Sequence, residues 1–313
     1  MASAAYRNLL SHELRRGTAR SIIAIATFLI ADAYIHRASD VHIDPAVSGT
    51  QVRLRIDGLL SDPYTLPRDC HVELIARLKI LSRLRTDEHF SPQDGAFTFT
   101  LPDGSTAFDI RLSIVPAHNG ECAVLRLLIP LQKSDSFVSL GMTPAQECLV
   151  EKALTLPHGL ILIVGPTGSG KTTTLYACIR RLVSTRRAVV SIEDPVEYCI
   201  SGVRQVSVLP HHGLTFAIGL RSLLRQDPDV IVVGEIRDAE TAALALSAAH
   251  TGHLVLSTLH ATSASSAYGR LEELAITDRR IAAAQPLIIS QKLVQVPDNV
   301  GRQAEFEITY ATA

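Results

Sequence analysis

The 313-residue sequence predicts an α/β protein in two parts: a small α+β domain, followed by a mainly parallel sheet covered on both faces by helices. Two patterns and one motif predict it. Short period-two segments bounded by Gly, Pro and Asp fill the first 130 residues, which is the pattern of paired, half-buried strands. Beyond about residue 143, continuous apolar strands alternate with helical stretches, as in a sheet buried on both sides. The third observation is the run Gly165-Pro166-Thr167-Gly168-Ser169-Gly170-Lys171-Thr172, which follows the apolar stretch 160–164 and leads into the helix-forming stretch 173–180. Strand, glycine loop and helix start occur there in succession.

The elements follow in order. Residues 1–20 are polar and basic and read as a leader or a first helix. The apolar run 21–31 is too short to span a bilayer and is broken by Asp32, so it reads as a buried helix continuing toward Ala38. Segments 39–45 and 51–58 alternate as paired strands, and 72–84 carries apolar residues at helical spacing. Segments 96–100, 107–113 and 123–128 return to strand character, with Asp103-Gly104 as a hairpin turn. The expected division is a leader over 1–20, an α+β domain over 21–130, a linker over 131–143 and a second domain over 144–313. Within the second domain, strands are expected at 160–164, 188–192, 230–233 and 253–257, spaced as crossover helices require.

The chemistry concentrates in four places. The glycine loop matches G-x-x-x-x-G-K-[ST], whose backbone N–H groups cradle phosphates at the positive end of a helix. Lys171 is expected to reach the β/γ-phosphates and the Thr172 hydroxyl to ligate Mg²⁺, so the chain is expected to bind a nucleoside triphosphate. The acidic stretch Glu193-Asp194-Pro195-Val196-Glu197 falls at a strand end, where ligands collect in open parallel sheets. The strand 230–233 ends in Gly234-Glu235, a Walker B form in which the glutamate polarises attacking water. His250, His253 and His260 fall within eleven positions. No cysteine or carboxylate completes a tetrahedral set with them, so hydrogen bonding to a γ-phosphate or to the acidic cluster is expected instead of zinc.

With these elements in this order, the chain resembles the secretion ATPases of type II secretion, type IV pilus and competence systems. Residues 165–173 are similar to that family's Walker A motif, 191–197 to its aspartate box, 224–238 to its Walker B and 249–260 to its histidine box. In the first domain, 38–45, 53–58, 92–95 and 109–111 are similar to the family's PAS-like domain, so the resemblance runs from about residue 22 to about residue 295. It implies a PAS-like α+β domain followed by a RecA-like P-loop NTPase domain. It also implies a homo-hexameric ATP hydrolase that uses ATP and Mg²⁺ and works with an inner-membrane platform protein, in the cytoplasm, attached to the inner face of the membrane. Gly165 to Thr173 would hold the nucleotide, and Arg111 and Arg126, with Arg77, would bring cationic contacts to the phosphates. Glu235 is then the water-positioning carboxylate, Glu193 assists, and His260 senses the γ-phosphate.

The wording at 225–229 and 257–260 is closer to assembly members than to retraction members, so the expected task is assembly of a pilus or pseudopilus. The family's long docking domain and four-cysteine zinc module are not seen in the sequence, a compactness similar to the competence members. Where the family commonly runs on with a basic stretch after Gln-Arg-Leu-Val, this chain has Gln291-Lys292-Leu293-Val294-Gln295 and ends soon after Gly301-Arg302, which leaves the C-terminal contacts in doubt but not the nucleotide chemistry. The competing readings are a type IV secretion or conjugation ring ATPase, and a nucleotide-binding scaffold with little turnover. Stretches 53–58 and 92–95 argue against the first, and only the short tail supports the second. A formal net charge of −1 argues against nucleic acid as the main partner, and five scattered cysteines without a C-x-x-C pair fit reduced thiols rather than a disulfide framework or a zinc site.

Overall fold

The computed structural model describes residues 5–129, 136–284, 286–295 and 302–310. The chain divides into two compact units, Met1–Pro130 and Leu131–Ala313.

The first unit opens with helices α1 (Ala5–Arg15) and α2 (Ile22–Ile35). Ser21 caps α2 by accepting the Ala24 N–H at 3.3 Å. The apolar run forms this helix and buries Ile25, Leu29 and Ile30, while Leu10 of α1 joins the same core. No helix among the described residues is long and apolar enough to cross a membrane. Of the leader, residues 1–4 lie outside the described residues.

Strands β1 (Asp40–Ala46), β2 (Gly49–Ile56), β3 (Leu59–Leu60) and β4 (Tyr64–Leu66) precede helix α3 (Cys70–Leu81), and β5 (Gln93–Thr100), β6 (Ala107–Ala117) and β7 (Gly120–Leu128) follow it. Their order is β3-β2-β1-β7-β6-β5, with β4 also on β2, and each pairing is antiparallel. The helix expected over 72–84 stops at Leu81, because Arg83 turns into the left-handed region at φ 56°. Period-two alternation sends Val41, Ile43, Val52, Leu54, Ile110, Leu112 and Leu125 into the core with α2 and α3. On the other sheet face, register aligns Arg55, Asp40, Arg126 and Arg111 in one row across β2, β1, β7 and β6.

In the second unit, α4 (Pro144–Leu154) starts on a capping box formed by Thr143 and Gln146. Then come β8 (Gly159–Val164), α5 (Lys171–Val183), β9 (Val189–Glu193), β10 (Val203–Ser207), α6 (Phe216–Leu223), β11 (Val230–Val233), α7 (Ala239–His250), β12 (Leu254–Leu259), α8 (Ala264–Glu273), α9 (Asp278–Ala283), β13 (Leu287–Gln295) and β14 (Arg302–Tyr310). The sheet order is β10-β9-β11-β12-β8-β13-β14, parallel except for the antiparallel β13–β14 pair. The loop-bearing strand β8 therefore sits inside the sheet.

Alternation again separates two cores. Leu160, Leu162, Val190, Ile192, Ile231, Val233 and Val255 pack with α6, α7 and α8, whereas Ile161, Ile163, Val189, Val232, Leu256 and Ile289 pack with α4 and α5. Within the stretch expected as linker, residues 131–135 lie outside the described residues, and Phe137 and Met142 are buried in the α5-side core. Strand β10 and the C-terminal pair β13 and β14 are not among the strands expected from the sequence. Residues 296–301, including Gly301 of the tail, lie outside the described residues.

Candidate functional site

The glycine loop crosses from the end of β8 to the start of α5 with Gly165, Gly168 and Gly170 all at positive φ, a backbone path other residue types resist. Gly170 is the N-cap of α5 and offers no capping side chain, so the first-turn N–H groups stay turned toward any anion at the loop. Lys171 and Thr172 occupy that first turn. The Lys171 Nζ donates to the carbonyls of Gly165 at 2.7 Å and Pro166 at 3.0 Å. Burial pushes the Lys171 ammonium below its ordinary pKa, against the opposing pull of Glu235.

A cleft of about 230 Å³ opens over the loop. Its lining includes Thr167, Gly168, Lys171, Thr172, Glu193 and Glu235. Pro166, Ser169, Gly170 and Thr173 complete the loop and first turn, and the Ser169 Oγ is buried without a partner. Asp194, Glu197, Gly234, Thr258 and His260 close the far side of the cleft.

The geometry revises the roles within the acidic stretch. Because Val189 packs toward α5, alternation along β9 turns Ser191 and Glu193 the same way, onto the buried Tyr176 of α5. The Tyr176 hydroxyl donates to Glu193 Oε2, while Oε1 accepts from Ser191 Oγ at 2.6 Å and Gln205 Nε2 at 3.2 Å. Tyr176 in turn accepts the Glu197 N–H at 3.1 Å. Glu193 is only 4% exposed. With both oxygens held by neighbours, it orders the β9 end of the cleft rather than meeting solvent.

Glu235 stands differently. It follows β11 and Gly234, where an added Cβ would come within 3.2 Å of the Glu193 backbone. Arg237 pairs with Glu235 and reaches Asp194 Oδ2 at 3.0 Å, and the Glu235 hydrogen bond holds the Arg237 guanidinium above its ordinary pKa. His260 Nε2 lies 3.5 Å from Glu235 Oε2. Thr258 donates to the Gly234 carbonyl at 2.7 Å, which ties β12 to this turn.

The three histidines do not gather. His250 ends α7, and His253 leans its Nδ1 on the Ala248 carbonyl at 3.2 Å ahead of β12. His260 follows the six-residue β12, so about 20 Å of strand separates the first two from the cleft. Only His260 lines it.

The arginines expected to reach phosphate lie in the first unit. Arg126 Nε donates to the buried Asp40 at 2.9 Å, and Arg111 stands opposite Arg126 in register on the same sheet face. Arg77 belongs to α3, which packs on the apolar face, so the fold does not group it with them. Three residues that motif reading passed over carry the cleft as well. Arg237 was inside the Walker B stretch and Tyr176 in the helical stretch after the glycine loop, but their partners were not legible. Gln291 lies in the tail whose contacts were in doubt, yet it donates to the Ser169 carbonyl at 2.6 Å and accepts the Thr174 hydroxyl at 2.7 Å. The tail is therefore built directly into the loop.

The family model described as "Type II/IV secretion system protein" matches residues 16–311. The chain is 45% identical over 271 residues to the protein transport protein HofB homolog of Escherichia coli, covering 87% of this chain and 58% of that protein. It is 41% identical over 301 residues to type II secretion system protein E of Klebsiella pneumoniae, covering 93% and 60%. The chain thus spans about three fifths of the length of these curated relatives. A crystal structure described as the pilus retraction motor PilT with bound ADP superposes with a TM-score of 0.68 at 31% identity, over 91% of this chain and 82% of that one. On this match across nearly its whole length, the chain belongs to the type II/IV secretion system protein family.

Proposed function

We propose that the chain is the ATP-hydrolysing core of a hexameric motor that drives assembly of a pilus or a type II secretion pseudopilus through a membrane platform protein. One observation carries the nucleotide reading: a glycine loop at positive φ, an uncapped helix start, Lys171 and the strand-tip carboxylate Glu235 all line one cleft. Family membership and likeness to an ADP-bound pilus motor support it.

The residues fit Mg²⁺ by the chemistry of their donors. The Thr172 hydroxyl and the Asp194, Glu197 and Glu235 carboxylates offer only oxygen, with the Glu193 carboxylate, held by its neighbours, beside them. Those four carboxylates face Lys171 and Arg237, so a polyphosphate entering alone meets net repulsion that a divalent cation reverses. Thr172 would hold the ion together with phosphate oxygens and water. Once bound, the ion would neutralise phosphate charge.

Lys171 exchanges its two loop carbonyls for phosphate oxygens, and the α5 N–H groups bind the same anion. Glu235, released from Arg237, orients water for in-line attack. Glu193 keeps the β9 end of the cleft rigid through Tyr176. Arg111 and Arg126 would bring positive charge to the phosphates, and His260 would report the γ-phosphate through Glu235. The 41–45% identity to protein-transport and type II secretion proteins favours the secretion and assembly task. Steady-state phosphate release tests the reading: turnover that requires Mg²⁺ and disappears in Lys171→Ala supports it, and absence of Mg²⁺-dependent turnover in the wild type removes it.

A further inference from the structure

We propose that Gln291 is a positioning residue for nucleotide binding, a brace by which the C-terminal strand holds the phosphate loop open. The proposal rests on the reading of the cleft as a nucleotide site. Gln291 lies on β13, which pairs in parallel with β8 through Ser290↔Val164, so it emerges beside the point where the loop leaves the sheet. Alternation turns it toward the α5 side with Leu287 and Ile289.

Its side chain is 4% exposed and bonds at both ends. Nε2 donates to the Ser169 carbonyl and Oε1 accepts the Thr174 hydroxyl, spanning the loop and the first turn of α5. A primary amide offers a donor and an acceptor side by side whatever the pH, matching a carbonyl and a hydroxyl. The loop glycines are shaped by the same contact. A Cβ on Gly165 would drive into the Gln291 backbone carbonyl, and one on Gly170 would sit 2.9 Å from Gln291 Nε2. Two of the three loop glycines thus leave room for β13, Gly165 for its backbone and Gly170 for the Gln291 amide.

A loop seated in its binding shape before the ligand arrives loses less freedom on binding, so the brace raises affinity without touching the nucleotide. It also links the β13–β14 pair to whatever state the loop adopts.

Gln291→Glu separates this from simple packing, because it keeps the shape and the acceptor while removing the donor opposite the Ser169 carbonyl. Binding of the analogue ATPγS is expected to weaken about tenfold or more, the effect of one buried polar group left unpaired. The deficit relative to wild type is expected to shrink as pH falls toward about 5, where a buried carboxyl protonates and regains a donor. A purely structural role has no reason to follow that profile. Amide hydrogen exchange of residues 165–172 in the nucleotide-free protein supplies a readout independent of hydrolysis: it is expected to quicken while β8 and β12 stay protected. Thr174→Val, which removes only the hydroxyl donor, serves if Gln291→Glu does not fold, with a weakening of about three- to tenfold. Unchanged affinity and unchanged loop exchange overturn the brace. If the wild type binds no ATPγS yet loop exchange quickens in the variant, the nucleotide reading falls and the brace stands.

Discussion

Replacing Tyr176 with phenylalanine removes one oxygen atom from beneath the cleft and leaves the ring, which is 1% exposed and packed 4.3 Å from the Tyr198 ring, in place. Two bonds go with it, the one donated to Glu193 Oε2 and the one accepted from the Glu197 N–H at 3.1 Å. A hydrogen bond to a buried carboxylate contributes about 1.5–3 kcal/mol and a neutral one about 0.5–1.5 kcal/mol. Glu193 keeps Ser191 and Gln205 on its other oxygen, so the expected loss is about 3 kcal/mol. In a unit of roughly 180 residues this lowers the melting temperature by about 9 °C, readable by scanning fluorimetry. The loss should also be non-additive with Glu193→Gln, since both substitutions weaken the same contact. A shift under about 2 °C, or full additivity, would refute the view that Glu193 is held by its neighbours instead of serving as a solvent-facing base.

In the first unit, the buried Lys79 pairs with Glu121 at 2.6 Å and His89 bonds the same carboxylate. Burial pushes the Glu121 pKa up, but the Lys79 and His89 hydrogen bonds overcome it and leave it below its ordinary 4.5. Its stabilising share is therefore complete above pH 4.5 and fades as pH falls through the lower folded value. Glu121→Gln should lower stability by about 3–5 kcal/mol at neutral pH, with the gap to wild type closing in denaturant titrations carried below that pH. Arg126→Gln breaks a pair whose arginine is 64% exposed, so it should move unfolding by less than about 1 kcal/mol while reducing ATP turnover; equal turnover would remove Arg126 from the site. Arg237→Gln leaves four carboxylates facing Lys171, and ATP binding should weaken about tenfold at low salt and less at high salt.

Much of the architecture was legible because it rests on local pattern. Strand β8 is a six-residue run with no exposed position, and such runs announce a sheet covered on both faces. The glycine loop carries its own backbone requirement, so its position followed from residue type alone. The exchanges that bind the cleft are long-range, and pattern does not record them. Gln291 meets Ser169 across 122 positions, and Tyr176 meets Glu193 across 17 and two elements. Among the histidines, the strand β12 carries His260 to the cleft and leaves His250 and His253 at its far end, a separation that closeness in sequence does not record. The weak signals of β10 and β14 reflect partial burial at the sheet edges, where few positions must be apolar.

The proposed mechanism turns on Glu235 orienting the water that attacks a triphosphate held by the 165–172 loop. A single-turnover experiment with radiolabelled ATP and Mg²⁺ on wild type and Glu235→Gln tests it most directly. Both proteins are expected to retain bound ATP within a few-fold, with phosphate release slower by about 100-fold or more in the variant, the scale of losing a positioned base. Equal release rates from equally loaded proteins would contradict it.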